Sequence, residues 1–207
     1  MLKLFERLPD SLTVDGRRYK CDFDFRNVLK MLDIAQREDL VQEAQEYLCI
    51  KCVISHRIPP KTVHTVYDAL CSVLFEKRPE TGGKRITSYE QDAGLIRSAF
   101  RQVYGIDLFR DNLHWFEFKE LLQNLPEGNR YEEILGIRAR PIPAPTKYNQ
   151  KEREWLIQAK QSVALHLTDA EQAKKYDEDV DKIFAGLFGM IQKAEAADKK
   201  EVNTGGE

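Results

Sequence analysis

Residues 88–140 read SYEQDAGLIRSAFRQVYGIDLFRDNLHWFEFKELLQNLPEGNRYEEILGIRAR. Tyr89, Ala93, Ile96, Phe100 and Val103 recur at steps of four and three, which is one face of an α-helix. Ser88 with Gln91 forms a capping-box pattern at its start, and Gly105 stands where a left-handed helix end is easiest for glycine. A second helix is expected from Leu113 to about Leu125. Trp115, Phe116, Phe118, Leu121, Leu122 and Leu125 cover most of its circumference, the mark of a buried helix. Pro126 and Gly128 end it. Asn129 with Glu132 then caps a third helix carrying Tyr131, Ile134, Leu135 and Ile137.

Upstream, Asp15-Gly16 between short mixed runs (SLTVDGRRYKC, 11–21) signals a β-hairpin. Phe25, Val28, Leu29 and Leu32 predict a helix over about 23–37, and Asp39 with Gln42 predicts the start of another, running to about Ser55. Pro59-Pro60 stops that helix and opens a third over about 61–76, with Val63, Val66, Tyr67, Leu70, Val73 and Leu74 inward. A polar Pro/Gly loop follows over 78–85.

Beyond Arg140, three prolines in five residues (Pro141, Pro143, Pro145) favour an extended connector, and the core boundary is placed there. The expected organisation is a helical core with a hairpin over 1–140, a connector over 141–148, a helical hairpin or arm over 149–197 and a disordered tail over 198–207. Asn149 with Glu152 starts one helix of the arm, which contains Trp155, Leu156 and Ala159. Thr168 with Glu171 starts the other, whose far half carries the apolar stripe Phe184, Leu187, Phe188 and Ile191. That stripe has three possible resting places: the core of its own chain, the helix of Trp155, or another chain received helix-in-groove. The fold class is mostly α, a multi-helix orthogonal bundle with a short N-terminal hairpin and a C-terminal helical arm.

Composition narrows the function. The chain of 207 residues has a net charge of −2 and is 42% hydrophobic, so it can bury a sizeable core but shows no basic excess for nucleic acid or membrane surfaces. No apolar run reaches membrane-spanning length, and MLKLFERLPD has no signal-peptide apolar region. Four cysteines without a secretion signal suggest reduced thiols.

Candidate chemistry is sparse. Cys49 and Cys52 form a C-x-x-C, with His56 on the same helical face and His64 and Cys71 beyond, so a zinc or thiol site is conceivable. The motif lies inside a helix among apolar residues, where cysteine acts as a small hydrophobe. His114 is read as solvent-facing or as a local cap, with Trp115 as core. Asp92 and Asp107 are read as caps or ion-pair partners, since no His or Ser accompanies them for acid-base work. Gly82-Gly83 lacks the strand-loop-helix context of a phosphate loop. Lys77, Arg78, Lys84 and Arg85 are read as a solvated loop. No catalytic, cofactor or metal residue is assigned and the chain is expected not to be an enzyme. The residues put forward for partner binding are Phe184, Leu187, Phe188 and Ile191.

Asp92, Phe100, Tyr104-Gly105-Ile106-Asp107-Leu108, Leu113-His114-Trp115, Phe118, Leu121-Leu122 and Leu125 resemble the phage "gene product fifteen" family, from the tail gene cluster of long-tailed phages of Gram-positive bacteria. The DG hairpin, Asp24-Phe25-Arg26, Ile134 and Arg138 extend the likeness over roughly residues 5 to 140. Residue 116 is Phe where a second Trp or a Tyr is expected. The resemblance implies a tail assembly factor in the host bacterial cytoplasm, foremost a chaperone of the tape-measure protein, with self-association possible. The alternative it implies is a structural head-tail or tail-completion adaptor kept in the virion. A zinc or thiol enzyme built on Cys49 and Cys52 is the reading from another class.

Overall fold

Asp15 and Gly16 both take positive φ, 49° and 73°, as a two-residue hairpin turn with the right twist demands. They join β1 (Ser11–Val14) to β2 (Arg17–Lys20) in antiparallel register, Leu12 opposite Tyr19 and Val14 opposite Arg17. Leu12, Val14 and Tyr19 are buried, while Arg17, Arg18 and Lys20 face water. The computed structural model describes residues 6–75 and 85–167.

Seven α-helices follow among the described residues. They are α1 (Phe25–Ala35), α2 (Gln42–Val53), α3 (Val63–Leu74), α4 (Ala93–Tyr104), α5 (Trp115–Gln123), α6 (Arg130–Ala139) and α7 (Gln150–Ser162). A single 3₁₀ turn, Pro60–Thr62, leads into α3. The chain is mostly helical with a short hairpin, as its periodicity indicates. α1 packs on α2, α2 on α3, and β1 on α3; α5 lies against α1, α4 against α6, and α6 against α7.

Phe118 of α5 holds the centre. Its ring stacks on Phe25 of α1 at 4.7 Å and on Phe100 of α4 at 5.3 Å, with Trp115 at 5.9 Å. Offset aromatic pairs of this kind add about 0.5–1.5 kcal/mol each beyond the area they bury. Trp115 is 2% exposed, and its indole N–H donates to the Leu74 carbonyl at the end of α3. Burial of the ring therefore leaves no orphaned donor.

Several helix starts differ from expectation. The Ser88–Gln91 contact forms, since the Gln91 N–H reaches the Ser88 hydroxyl, but α4 begins four residues later. Tyr89 sits in a turn, 39% exposed. The reason is Asp92, which is buried and accepts the Ser88 N–H, folding 88–92 into a closed turn ahead of the helix. Asp39 does not cap α2. Its carboxylate is held by the Arg37 guanidinium, and the residue before Gln42 is Val41, with no side-chain cap. Gln45 compensates on the neighbouring element by offering its amide to the Ile34, Ala35 and Arg37 carbonyls at the end of α1. α7 does start after Asn149, as expected, but the Asn149 side chain makes no cap bond; it accepts the Thr146 N–H and donates to the Ala144 carbonyl, bracing the connector.

The boundary expected after Arg140 lies within one compact unit that extends through Ala164. Residues 141–148 are exposed, with no helix or strand, as their prolines require. Even so, α7 returns onto α6. Lys160 Nζ donates to the Arg138 carbonyl, Arg138 Nε donates to the Val163 carbonyl, and Leu156 is 1% exposed.

Candidate interaction site

The segments that carry the family resemblance converge in space. Asp24 and His114, ninety residues apart, sit opposite each other in an isolated antiparallel bridge. The Phe25 N–H donates to the Leu113 carbonyl and the Trp115 N–H to the Phe23 carbonyl. Each is also a helix cap. The Asp24 carboxylate accepts the Arg26 N–H at the start of α1. His114 Nδ1 accepts the Phe116 N–H, and Glu117 bonds back to the His114 N–H, which completes a capping box at α5. His114 Nε2 then carries the proton and donates to the Pro9 carbonyl at 3.0 Å. One short bridge thus locks the starts of two helices together.

An open cleft of about 510 Å³ lies beside this bridge, lined by residues from the segment before β1, from the start of α1 and from the turn before α5. Most of its ionisable groups are engaged in bonds within the fold. The Arg26 guanidinium grips Asp24 in two bonds and reaches the Asp111 carbonyl and the Asn112 side chain. Burial works to raise the Asp24 carboxyl, and the bonds from Arg26 outweigh it and lower it. Burial also pushes the Cys21 thiol up to about 11, far from a reactive thiolate. Both His114 nitrogens are engaged, so the ring is not poised as a general base.

A second junction joins Asp92 to Arg138. Two bonds of 2.8 and 2.9 Å form a fork, with side chains 1% and 11% exposed. Arg138 also donates to the Ile86 and Val163 carbonyls, tying the segment before α4 to the end of α7. Asp92 is therefore an ion-pair partner, as its lack of companions implied.

A third element is the turn after α4. Gly105 has φ 69°, and the Gly105 and Ile106 N–H groups close the helix on the Arg101 and Phe100 carbonyls. Asp107 accepts the Phe109 N–H and an Arg101 bond, while its own N–H donates to Asp111. The Phe109 N–H and then the arginines hold the Asp107 carboxyl below its ordinary value.

A model of the family described as Bacteriophage Gp15 protein matches residues 4–165, most of the chain. The chain belongs to the Bacteriophage Gp15 protein family. It is accordingly a phage structural or assembly protein. The match extends past the resemblance read from residues 5 to 140 and includes α7, in keeping with the packing of α7 on α6. No curated protein and no solved structure matches the chain.

Within this family frame the remaining candidates can be placed. Cys49 is fully buried in α2 and its thiol donates to the Met31 carbonyl; burial raises it to about 11. Cys52 and Cys71 are half-buried, and burial raises both. His56 is exposed, and His64 bonds to Glu46 and Asp68 instead of turning to the thiols. Among the described residues, no three His, Cys, Asp or Glu side chains are grouped to hold a metal, and no helix is long and apolar enough to cross a membrane. Phe184, Leu187, Phe188 and Ile191 lie outside the described residues. Sequence reasoning passed over Phe109, which is 67% exposed beside buried Leu108. The signal was present in the sequence: Phe109 is an aromatic set in a polar turn, outside either helical period.

Proposed function

We propose that this protein is a tail-assembly chaperone that binds the tape-measure protein in the host bacterial cytoplasm, and that it acts by binding and not by catalysis. Family membership over residues 4–165 carries the reading. The commitment of Asp24, Arg26, Asp92, His114 and Arg138 to internal bonds supports it, because the residues with the most chemical potential build the scaffold. A tape-measure chain is long, helical and apolar in stretches, and is exposed to aggregation before the tube forms around it. A helical protein present in many copies could cover it and leave as tube subunits compete for the same surface.

Co-expression tests this. The tape-measure protein should become more soluble and co-purify with this chain, and the chain should be missing from finished particles. A stoichiometric presence in virions, with no effect on tape-measure solubility, would replace the chaperone with a head-tail or tail-completion adaptor.

A further inference from the structure

We infer that the turn 105–112 is a docking point for an acidic segment of a partner protein, with Phe109 as its anchor. The inference rests on the partner-binding role proposed above and names the chemistry of that partner. Phe109 stands 67% exposed at the tip of the turn, with the Arg97 guanidinium over its ring at 4.7 Å. A lone surface aromatic is ordinary. This one is held by an over-determined frame: the Arg110 and Asp111 N–H groups both bond to the Asp107 carbonyl at 2.8 Å, and the Phe109 N–H bonds to the Asp107 carboxylate. An aromatic fixed in advance loses little conformational freedom on binding, which is the property of an interface anchor.

Charge selects the partner. Five charged side chains belong to this region. Both carboxylates are bonded within the region, Asp107 to the Phe109 N–H and to Arg101, and Asp111, itself exposed, to the Asp107 N–H. Asp107 is accordingly only 25% exposed, whereas Arg101 is 64% and Arg110 86% exposed. Arg101 pairs with Asp107 at 2.8 Å and Arg110 lies 3.9 Å from the same carboxylate, so with Arg97 three guanidinium groups stand against two carboxylates and leave the ring in a net positive setting. A segment with Asp or Glu flanking a Leu, Ile or Phe matches it: carboxylates meet arginines, and the apolar side chain covers the ring. A nucleic acid is the less fitting occupant, because a net charge of −2 gives no wider basic track for a phosphate backbone.

The test uses the full chain, its Phe109→Ser variant and its Arg97→Glu/Arg110→Glu variant. The probes are overlapping synthetic peptides tiling the tail proteins of its phage, the tape measure included, and a single-stranded oligonucleotide. Binding is read by fluorescence anisotropy, with melting curves alongside. Acidic-apolar peptides should bind the natural chain and lose about tenfold or more in affinity in either variant, at unchanged melting temperature. If those peptides come from tail proteins other than the tape measure, the docking point stands and the tape-measure reading falls. If tape-measure peptides bind all three proteins equally, the reading stands and the docking point falls. Absence of any peptide binding, or Phe109-dependent binding of the oligonucleotide alone, overturns the inference.

Discussion

The chain has two tryptophans, and the fold treats them oppositely: Trp115 is 2% exposed in α5 and Trp155 56% exposed in α7. Residue type does not explain this. Trp115 opens a helix whose neighbours Phe116, Phe118, Leu121 and Leu122 are apolar on several sides, and three other helices pack around it. Trp155 is set in KEREWLIQAK, where charge flanks the short apolar run Trp155-Leu156-Ile157. Adjacent helical positions point about 100° apart, so Trp155 and Leu156 cannot both face α6. Leu156 takes the inner position, 1% exposed, and the larger ring is left in water. Size and hydrophobicity set what burial is worth; the neighbours in sequence set which residue receives it.

The comparison breaks most readily at Trp115. Trp115→Ala should destabilise the chain by about 3–5 kcal/mol, through lost contacts with Phe118 and Phe75 and an unfilled cavity. Chemical denaturation monitored by circular dichroism measures it. A loss below about 1 kcal/mol would mean that α5 is not the centre of the core.

Asp92→Ala should come next, at about 3 kcal/mol, because it strands a guanidinium that is only 11% exposed. Two backbone carbonyls remain as acceptors for Arg138, so the cost should fall at the lower end for a broken buried pair. The double variant Asp92→Ala/Arg138→Met should recover part of the loss. An equal or greater loss in the double variant would show that Arg138 works mainly through its carbonyl contacts.

Leu156→Ala sharpens the contrast from the other side. As the buried member of the Trp155-Leu156 pair it should cost about 2–3 kcal/mol, and hydrogen exchange in α7 should speed up more than in α5. Uniform acceleration across all helices would mean that α7 unfolds only with the whole unit.

These positions also show what a sequence reveals. The hairpin was legible because Asp15-Gly16 is a local signal, and the third helix of the opening stretch because Asn129 accepts the Glu132 N–H as its capping pattern implies. Starts governed by distant partners were not legible. α4 is delayed by Asp92, whose fixed position depends on Arg138 forty-six residues away. The contact of α7 with α6 was not legible for the same reason, since three prolines describe the connector and say nothing of where α7 lands. Of the site, Asp92 and His114 were read correctly as an ion-pair partner and a cap, while Phe109 was passed over because periodicity finds buried faces and not exposed anchors.

His64 predicts a smaller, pH-dependent effect. Its Nδ1 lies 3.0 Å from Glu46 of α2 and its Nε2 3.3 Å from Asp68, and the bond to Glu46 leads in raising its pKa above 6.5. A raised folded-state pKa means the contribution is fully present below the unfolded value and fades as pH rises through the folded one. The stability gap between the natural chain and His64→Asn should therefore be largest below pH 6.5 and close as pH rises through the raised folded-state value. A gap that widens with pH would reverse the assignment. The ring is exposed, so added salt should shrink the gap.

The smallest effect belongs to Trp155, and it returns to the opening contrast. With more than half its surface already in water, Trp155→Ala should change stability by no more than about 0.5 kcal/mol. The two rings can be separated by fluorescence. In Trp115→Phe only Trp155 emits, and its spectrum should be red-shifted and readily quenched by acrylamide. In Trp155→Phe the remaining emission should be blue-shifted and protected. If Trp155 proves protected in the full chain, something covers it in solution, and its surface would join the Phe109 turn as a contact face. If it is quenched freely, Leu156 is the member of the Trp155-Leu156 pair that packs α7, and the difference between the two tryptophans is set by the residues beside them.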